Sequence, residues 1–120
     1  MQSKYNNRKV RCLGETFDSM LECERYKYLK ALEQQKVISN LRRQVKYVLL
    51  PSQKDSKTQK TIEREITYLA DFVYEKGSQT IVEDVKGMKT DVYKIKRKLM
   101  LYFHGIRIKE VTNEVKTWAV

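Results

Sequence analysis

The stretch from Leu69 to Gly87, LADFVYEKGSQTIVEDVKG, constrains the fold more than any other part of the chain. Two apolar, strand-forming segments, Leu69 to Tyr74 and Ile81 to Val85, flank Gly77-Ser78. A two-residue loop with glycine at its first central position closes such segments into a hairpin and pairs Lys76 with Gln79. Counting outward in that register sets Asp71 opposite Asp84. Side chains alternate at period two, so Asp84 and Lys86 share a sheet face, and cross-strand partners share one as well. Two carboxylates and an ammonium are expected to converge on one small patch.

Like charges opposed on neighbouring strands are destabilising unless something compensates them. A divalent cation does so. Magnesium takes hard oxygen ligands, usually one or two carboxylates with several retained waters, and completes its octahedron on a substrate phosphate. The neighbouring lysine can then position an attacking water or stabilise developing charge, a phosphodiester-cutting constellation. An acid, any residue, then lysine also occurs at Asp55-Ser56-Lys57 and Glu114-Val115-Lys116. The residues thirteen places upstream of those copies are Arg42 and Leu101, whereas Asp71 stands thirteen before Asp84. The plain alternative is a solvated hairpin face on which Lys86 offsets the acids.

Charge narrows the partner. Lys+Arg 25 against Asp+Glu 15 gives a formal net charge of +10, which points to a polyanion. Nucleic acid fits better than a membrane, because no segment is apolar enough to span or anchor. A soluble domain that is merely basic is the bland reading. Cys12 and Cys23 have neither a secretory signal before them nor zinc-finger spacing, and are expected as reduced thiols of a cytoplasmic protein. His104 is the single histidine, so histidine-dependent zinc sites and triads find little support.

The remaining chain divides into a basic N-terminal arm, residues 1–16, and one domain, residues 17–120. Lys4, Arg8, Lys9 and Arg11 of the arm could lie along a phosphate backbone or belong to a solvated tail. Thr16 to Gln35 is predicted helical, with Phe17, Leu21, Tyr28, Leu29 and Leu32 as its apolar stripe. Ser19 and Glu22 have capping-box spacing; alternatively Glu22 points toward the Asp71/Asp84 patch as a third acid. LRRQVKYVLLP reads as a strand, whose Gln44 could reach the patch or a phosphate, or simply be bonded within the sheet. Pro51 ends it, and a polar loop with Lys54, Lys57 and Lys60 follows. The first strand of the hairpin is expected from about Ile62. Lys89 precedes a second helix, TDVYKIKRKLMLYFHG, with an expected stripe of Val92, Ile95, Leu99, Tyr102 and Phe103. Its other face holds Lys94, Arg97 and Lys98 with Lys96 at the boundary, either meeting phosphates or solvated. Gly105 stops the helix. IRIKEV is a short strand, and Trp118 in the tail should dock on something apolar.

The expected order is helix, strand, strand, strand, helix, strand around a mixed sheet: a mixed α/β domain. That order, with an acid in the first helix and Asp71 followed by Asp84-Val85-Lys86, resembles the PD-(D/E)XK superfamily of restriction-endonuclease-like nucleases. In its small size the chain is similar to archaeal Holliday junction resolvases and phage junction endonucleases. FDSMLE, YLADFVY and VEDVKG look closer still to a family of small phage proteins of mostly unknown function placed in that superfamily. The resemblance spans roughly Phe17 to Ile108. It implies a restriction-endonuclease-like core and a metal-dependent DNA endonuclease acting in phage replication or recombination on branched or double-stranded DNA. It also implies Mg2+, with Mn2+ able to substitute, and a homodimer. Carried over by position, Asp71 takes the place of the first acid, although Ala70 precedes it where the motif has proline. Asp84 and Lys86 take the second half-motif, Glu22 the helical glutamate, and the Val85 carbonyl a backbone ligand. The alternative from another class is a non-catalytic DNA-binding or accessory protein that keeps the fold.

Overall fold

Strand alternation and two capped helices set the element order in the computed structural model, which describes residues 8–112. The chain runs β1 (Val10–Cys12), β2 (Glu15–Phe17), α1 (Met20–Gln34), β3 (Ser39–Leu50), β4 (Gln53–Lys54), β5 (Thr61–Glu63), β6 (Ile66–Lys76), β7 (Gln79–Val85), α2 (Asp91–His104) and β8 (Lys109–Val111). The central sheet has the order β3-β6-β7-β8. Its first three strands are antiparallel, and β8 is parallel to β7, with α2 as the crossover that parallel pairing needs. The sheet is therefore mixed, as expected. Gly77 at φ +61 turns the central hairpin, and Lys76 pairs with Gln79 in the register read from the sequence.

Two additions lie outside the expected order. Residues 10–17 are not an arm: β1 and β2 form a hairpin whose Cys12 and Phe17 are buried against α1. The polar loop after Pro51 is itself a small hairpin, β4 with β5, so the first strand of the central hairpin begins at Ile66 instead of Ile62. Cys12 and Cys23 are also not two separate thiols. Their sulfurs pair as a disulfide between β1 and α1, with Cα atoms 5.9 Å apart. Among the described residues no helix is long and apolar enough to cross a membrane.

Both helices start on a side-chain cap. Ser19 accepts from the Glu22 amide at 3.1 Å, and Thr90 from the Tyr93 amide at 3.1 Å. α2 ends at Gly105, whose φ of +66 favours a residue without a Cβ. Each helix buries a face that matches its expected stripe only in part: Leu29 is buried, and Leu32 and Leu99 pack against the core. α1 buries Glu22, Cys23, Arg25, Tyr26 and Leu29, while Phe17 belongs to β2. α2 buries Tyr93 and Met100, leaving Val92, Ile95, Tyr102 and Phe103 exposed. Between the two buried residues Lys96 and Arg97 are half-buried. Long cations on an inward face hid that face from a simple apolar count.

The core has two halves, one on each side of the sheet. Cys12, Phe17, Cys23, Tyr26, Leu29, Ile38, Phe72 and Tyr74 pack with α1. Leu49, Tyr68, Ala70, Val73, Val82, Tyr93, Met100 and Ile108 pack with α2. Strict alternation would keep Tyr68, Ala70, Phe72 and Tyr74 on one face, so β6 switches faces between Ala70 and Phe72. β3 does the same: Leu41 packs with the α1 cluster, whereas Val45, Tyr47 and Leu49 pack with the α2 cluster. The pairs Arg43↔Phe72 and Val45↔Ala70 bracket the switch, leaving Gln44 opposite Asp71. Gln44 has φ +54, a left-handed conformation that breaks the pleat.

Candidate active site

The face switch explains how acids from opposite sides of the sheet meet. Glu22 comes from α1 on one side and Asp84 from β7 facing the α2 side; Asp71 sits between them at the break. With Lys86, Val85, Ser19 and Thr90 they line one cleft of ≈ 610 Å³ at the carboxyl end of β7. Phe72↔Glu83 is the last antiparallel pair of the hairpin. One step further the register brings Asp71 to Asp84. There Asp71 Oδ2 accepts a 2.8 Å hydrogen bond from the Val85 amide, while the Lys86 amide donates to the Val111 carbonyl at 2.9 Å.

Asp84 is held from two directions. The Tyr68 hydroxyl donates to Oδ2 at 2.5 Å, and Lys86 Nζ lies 3.2 Å from Oδ1. The same ammonium sits 4.4 Å from the centroid of the Tyr93 ring, a cation–π contact that limits its motion. Glu22 is 5 % exposed, and its Oε1 lies 3.9 Å from Arg43, whose guanidinium stacks over Phe17 and bonds Glu15 at 2.8 Å. Ser19 and Glu22 therefore make only the serine half of a capping box; the glutamate faces the cleft. Glu22 Oε1 and Asp84 Oδ1 are buried with no hydrogen-bond donor among the described residues, the lysine contact to the latter being an ion pair without hydrogen-bond alignment.

The electrostatics follow from that crowding. All three carboxyls are pushed above their ordinary range, with burial as the leading cause. Asp71 rises to about 7, because Asp84 and Glu22 add repulsion that the Val85 amide and Lys86 only partly offset. Asp18 and Asp84 also raise Glu22 against the pull of Arg43. For Asp84 the hydroxyl of Tyr68 and the ammonium of Lys86 oppose the rise. A hard divalent cation would relieve this repulsion and occupy the two orphaned oxygens. The donor set, three carboxylates beside a backbone segment, has the hard-oxygen chemistry of magnesium. The carboxylates line a cleft instead of a closed cage: among the described residues no three His, Cys, Asp or Glu side chains form a ready metal cluster.

The basic residues expected to touch nucleic acid divide into groups. Lys96 lines a side lobe of ≈ 260 Å³ with Asp84, Lys86 and Tyr93. Lys89 and Arg97 are held by Glu110, at 3.1 and 3.0 Å, and Tyr93 donates to the same carboxylate at 2.8 Å. Arg11 bonds Thr16 and Gly14 within the β1–β2 hairpin, and Lys9 pairs with Asp18. Arg8, Lys94 and Lys98 are exposed. Gln44 is exposed and is not part of the cleft lining. Lys4 and Trp118 lie outside the described residues.

Sequence reasoning missed Tyr68, Tyr93, Arg43 and Glu110, which hold Asp84, Lys86 and Glu22 or compete for nearby cations. Strand alternation sets Tyr68 on the face of Ala70 but names no partner for it. Also missed was the pair behind the site. Arg25, 1 % exposed, clamps Glu83 from two nitrogens at 2.8 and 2.6 Å, and Tyr74 donates to the same carboxylate. Arg25 is one turn after Glu22 on α1, and Glu83 precedes Asp84 on β7. This buried bridge fixes the helix against the strand where two of the acids originate.

Fold and cleft define a mixed α/β domain with three buried or half-buried carboxylates and a lysine at the carboxyl end of a sheet strand. The chain belongs to the family described as Protein of unknown function (DUF1064), which it matches over residues 2–118. Neither the curated proteins nor the solved structures include a match to it.

Proposed function

We propose that the protein is a metal-dependent DNA endonuclease with a PD-(D/E)XK, restriction-endonuclease-like core, acting on branched or double-stranded DNA. The observation that carries this reading is the convergence of Glu22, Asp71 and Asp84 from three elements on one cleft that also holds Lys86. A fold gains no stability from opposing three carboxyls whose ionisation burial and mutual repulsion all resist. Cation-assisted chemistry gives the arrangement a purpose.

Asp71 and Asp84 would hold Mg2+, or Mn2+ in its place, with Glu22 and the Val85 carbonyl completing the protein side of the site. When bound, the ion supplies a water of lowered pKa and a Lewis acid for the phosphoryl oxygen. Lys86, anchored by Asp84 and the Tyr93 face, carries positive charge to the rim where a scissile phosphate would lie, and stabilises charge developing there. Tyr68 keeps Asp84 in one orientation with Oδ1 turned to the cleft. Thr90 caps α2 at the cleft wall, so the positive end of the helix dipole also faces the phosphate. Lys96 in the side lobe, with exposed Lys94 and Lys98 on the same helix, supplies contacts for the flanking backbone.

The test is cleavage of labelled four-way junction, flap, duplex and single-stranded DNA with Mg2+ or Mn2+. Wild type should cut at least one substrate, while Asp84→Asn and Lys86→Ala bind it uncut. Tight binding with no metal-dependent cutting on any substrate would replace this reading with a non-catalytic DNA-binding or accessory role.

A further inference from the structure

We propose that the β4–β5 hairpin is a second nucleic-acid contact, a cationic finger that grips the phosphate backbone away from the cleft. The inference rests on the DNA reading above and extends it to a surface that reading does not use. Lys54, Lys57, Lys60 and Arg64 are all exposed, and none of the four has an ion-pair partner among the described residues. Elsewhere on the surface some cations are neutralised, Lys46 by Glu65, Arg42 by Glu75, and Lys89 and Arg97 by Glu110, whereas the hairpin gathers four unpaired ones within eleven residues.

The acid within the tip is turned away from competition. Asp55 Oδ1 accepts from the amides of Lys57 and Thr58, both at 2.9 Å, and those bonds hold its pKa below the usual range. Backbone bonds between Asp55 and Lys60 and between Gln59 and Asp55, each 2.9 Å, close the turn. The lysines therefore project from an ordered turn whose own carboxylate, Asp55, serves the backbone, and Glu63 on β5 is the other acid of the hairpin. No apolar residue anchors the loop, and its two strands pair only with each other. A hairpin whose strands pair only with each other and which presents unpaired cations has the chemistry of a polyanion contact.

Its position suits a bound duplex. Ile66, where β6 leaves the hairpin, stands five residues before Asp71, about 17 Å of strand at roughly 3.4 Å per residue. A duplex that follows β6 from the cleft rises about 3.4 Å per base pair, so it meets the base of the finger about five base pairs from the cut. Phosphate contacts at that spacing add register and orientation without reading sequence.

The experiment is a salt titration of binding to a labelled 30-base-pair duplex in EDTA, where no cutting occurs, comparing the full-length protein with Lys54→Ala/Lys57→Ala/Lys60→Ala. Each lost phosphate contact removes about 0.9 from the slope of log affinity against log salt, so the triple variant should be shallower by roughly two to three. Its thermal melt should match wild type, since the three side chains support nothing. Unchanged slope and affinity, as expected if the lysines serve a protein partner, would overturn the finger while leaving the nuclease reading intact. A reduced slope with no metal-dependent cutting by wild type would keep the finger and sink the nuclease. Wild type that binds no DNA would remove both.

Discussion

Asp71 Oδ2 accepts a 2.8 Å hydrogen bond from the Val85 amide, so the first acid of the cleft is fastened to the strand that carries the second. The bond does not neutralise it. Burial, Asp84 and Glu22 still raise the Asp71 carboxyl to about 7. Its folded pKa lies above the unfolded one, so the folded state holds the proton more tightly. The resulting stability is complete below about pH 4 and is lost as pH climbs through about 7. Asp71→Asn keeps the acceptor for Val85 and removes the titration. It should raise stability by on the order of 2–4 kcal/mol at pH 8 and by almost nothing at pH 4, in urea melts without divalent ions. On the metal-dependent reading, added Mg2+ should then stabilise wild type at pH 8 and not the variant. Equal shifts at the two pH values would show that Asp71 is not the strained acid.

Tyr68 should behave as a positioning residue for Asp84. Tyr68→Phe deletes the 2.5 Å bond to a 3 % exposed carboxylate and leaves Oδ2 without its donor. The expected cost is roughly 1–3 kcal/mol of stability. On the nuclease reading, the Mg2+ concentration for half-maximal cutting should rise about tenfold to a hundredfold, as for other groups that orient a metal ligand. DNA affinity in EDTA should not move. A fall in cutting rate at saturating Mg2+, with no change in the concentration required, would assign Tyr68 to substrate instead of to the carboxylate.

Legibility followed the range of the interactions. The Gly77-Ser78 turn, the Lys76↔Gln79 register and the meeting of Asp71, Asp84 and Lys86 were readable, because hairpin geometry is local and period two extends it. The α2 face was not. Val92, Ile95, Leu99, Tyr102 and Phe103 look like a core stripe, yet only Leu99 of them packs on the core, and the buried line runs through Tyr93 and Met100 with half-buried Lys96 and Arg97 between. Glu22 and Arg25 likewise blur the inner face of α1, because an acid of the cleft and a buried arginine stand where apolar residues normally advertise a core. The partners that settle those faces, Glu83 and Glu110, are 58 and 13 residues away from Arg25 and Arg97. The two added hairpins, β1–β2 and β4–β5, have strands of only two or three residues, too short for any periodicity.

Gln44 marks the point where β3 changes faces, and its left-handed backbone gives a direct test of that account. A non-glycine residue at φ +54 carries about 1–2 kcal/mol of conformational strain, and a β-branched residue carries more. Gln44 is exposed, so its side chain contributes little to offset that strain. Gln44→Gly should be neutral or stabilising by up to about 1 kcal/mol, whereas Gln44→Val should lose roughly 1–3 kcal/mol despite its strand propensity. Denaturant midpoints for the two variants decide the matter. If valine proves the better residue, β3 runs extended through position 44 and the face switch has another origin.

The Arg25–Glu83 bridge can be separated from the cleft it supports. With side chains 1 % and 0 % exposed, neither partner has water to fall back on. Glu83→Gln or Arg25→Met alone should cost about 3–5 kcal/mol, because each strands a buried charge. Arg25→Met with Glu83→Leu removes both charges and should recover most of that loss. The two readouts then diverge. Stability returns in the double variant, but the bidentate clamp that fixes Glu22 on α1 relative to Asp84 on β7 does not. On the nuclease reading, half-saturation by Mg2+ should therefore stay weaker than in wild type even where the melting temperature matches it. Full recovery of both stability and Mg2+ dependence would mean that packing alone registers the helix on the sheet, and that the bridge has no part in assembling the three acids.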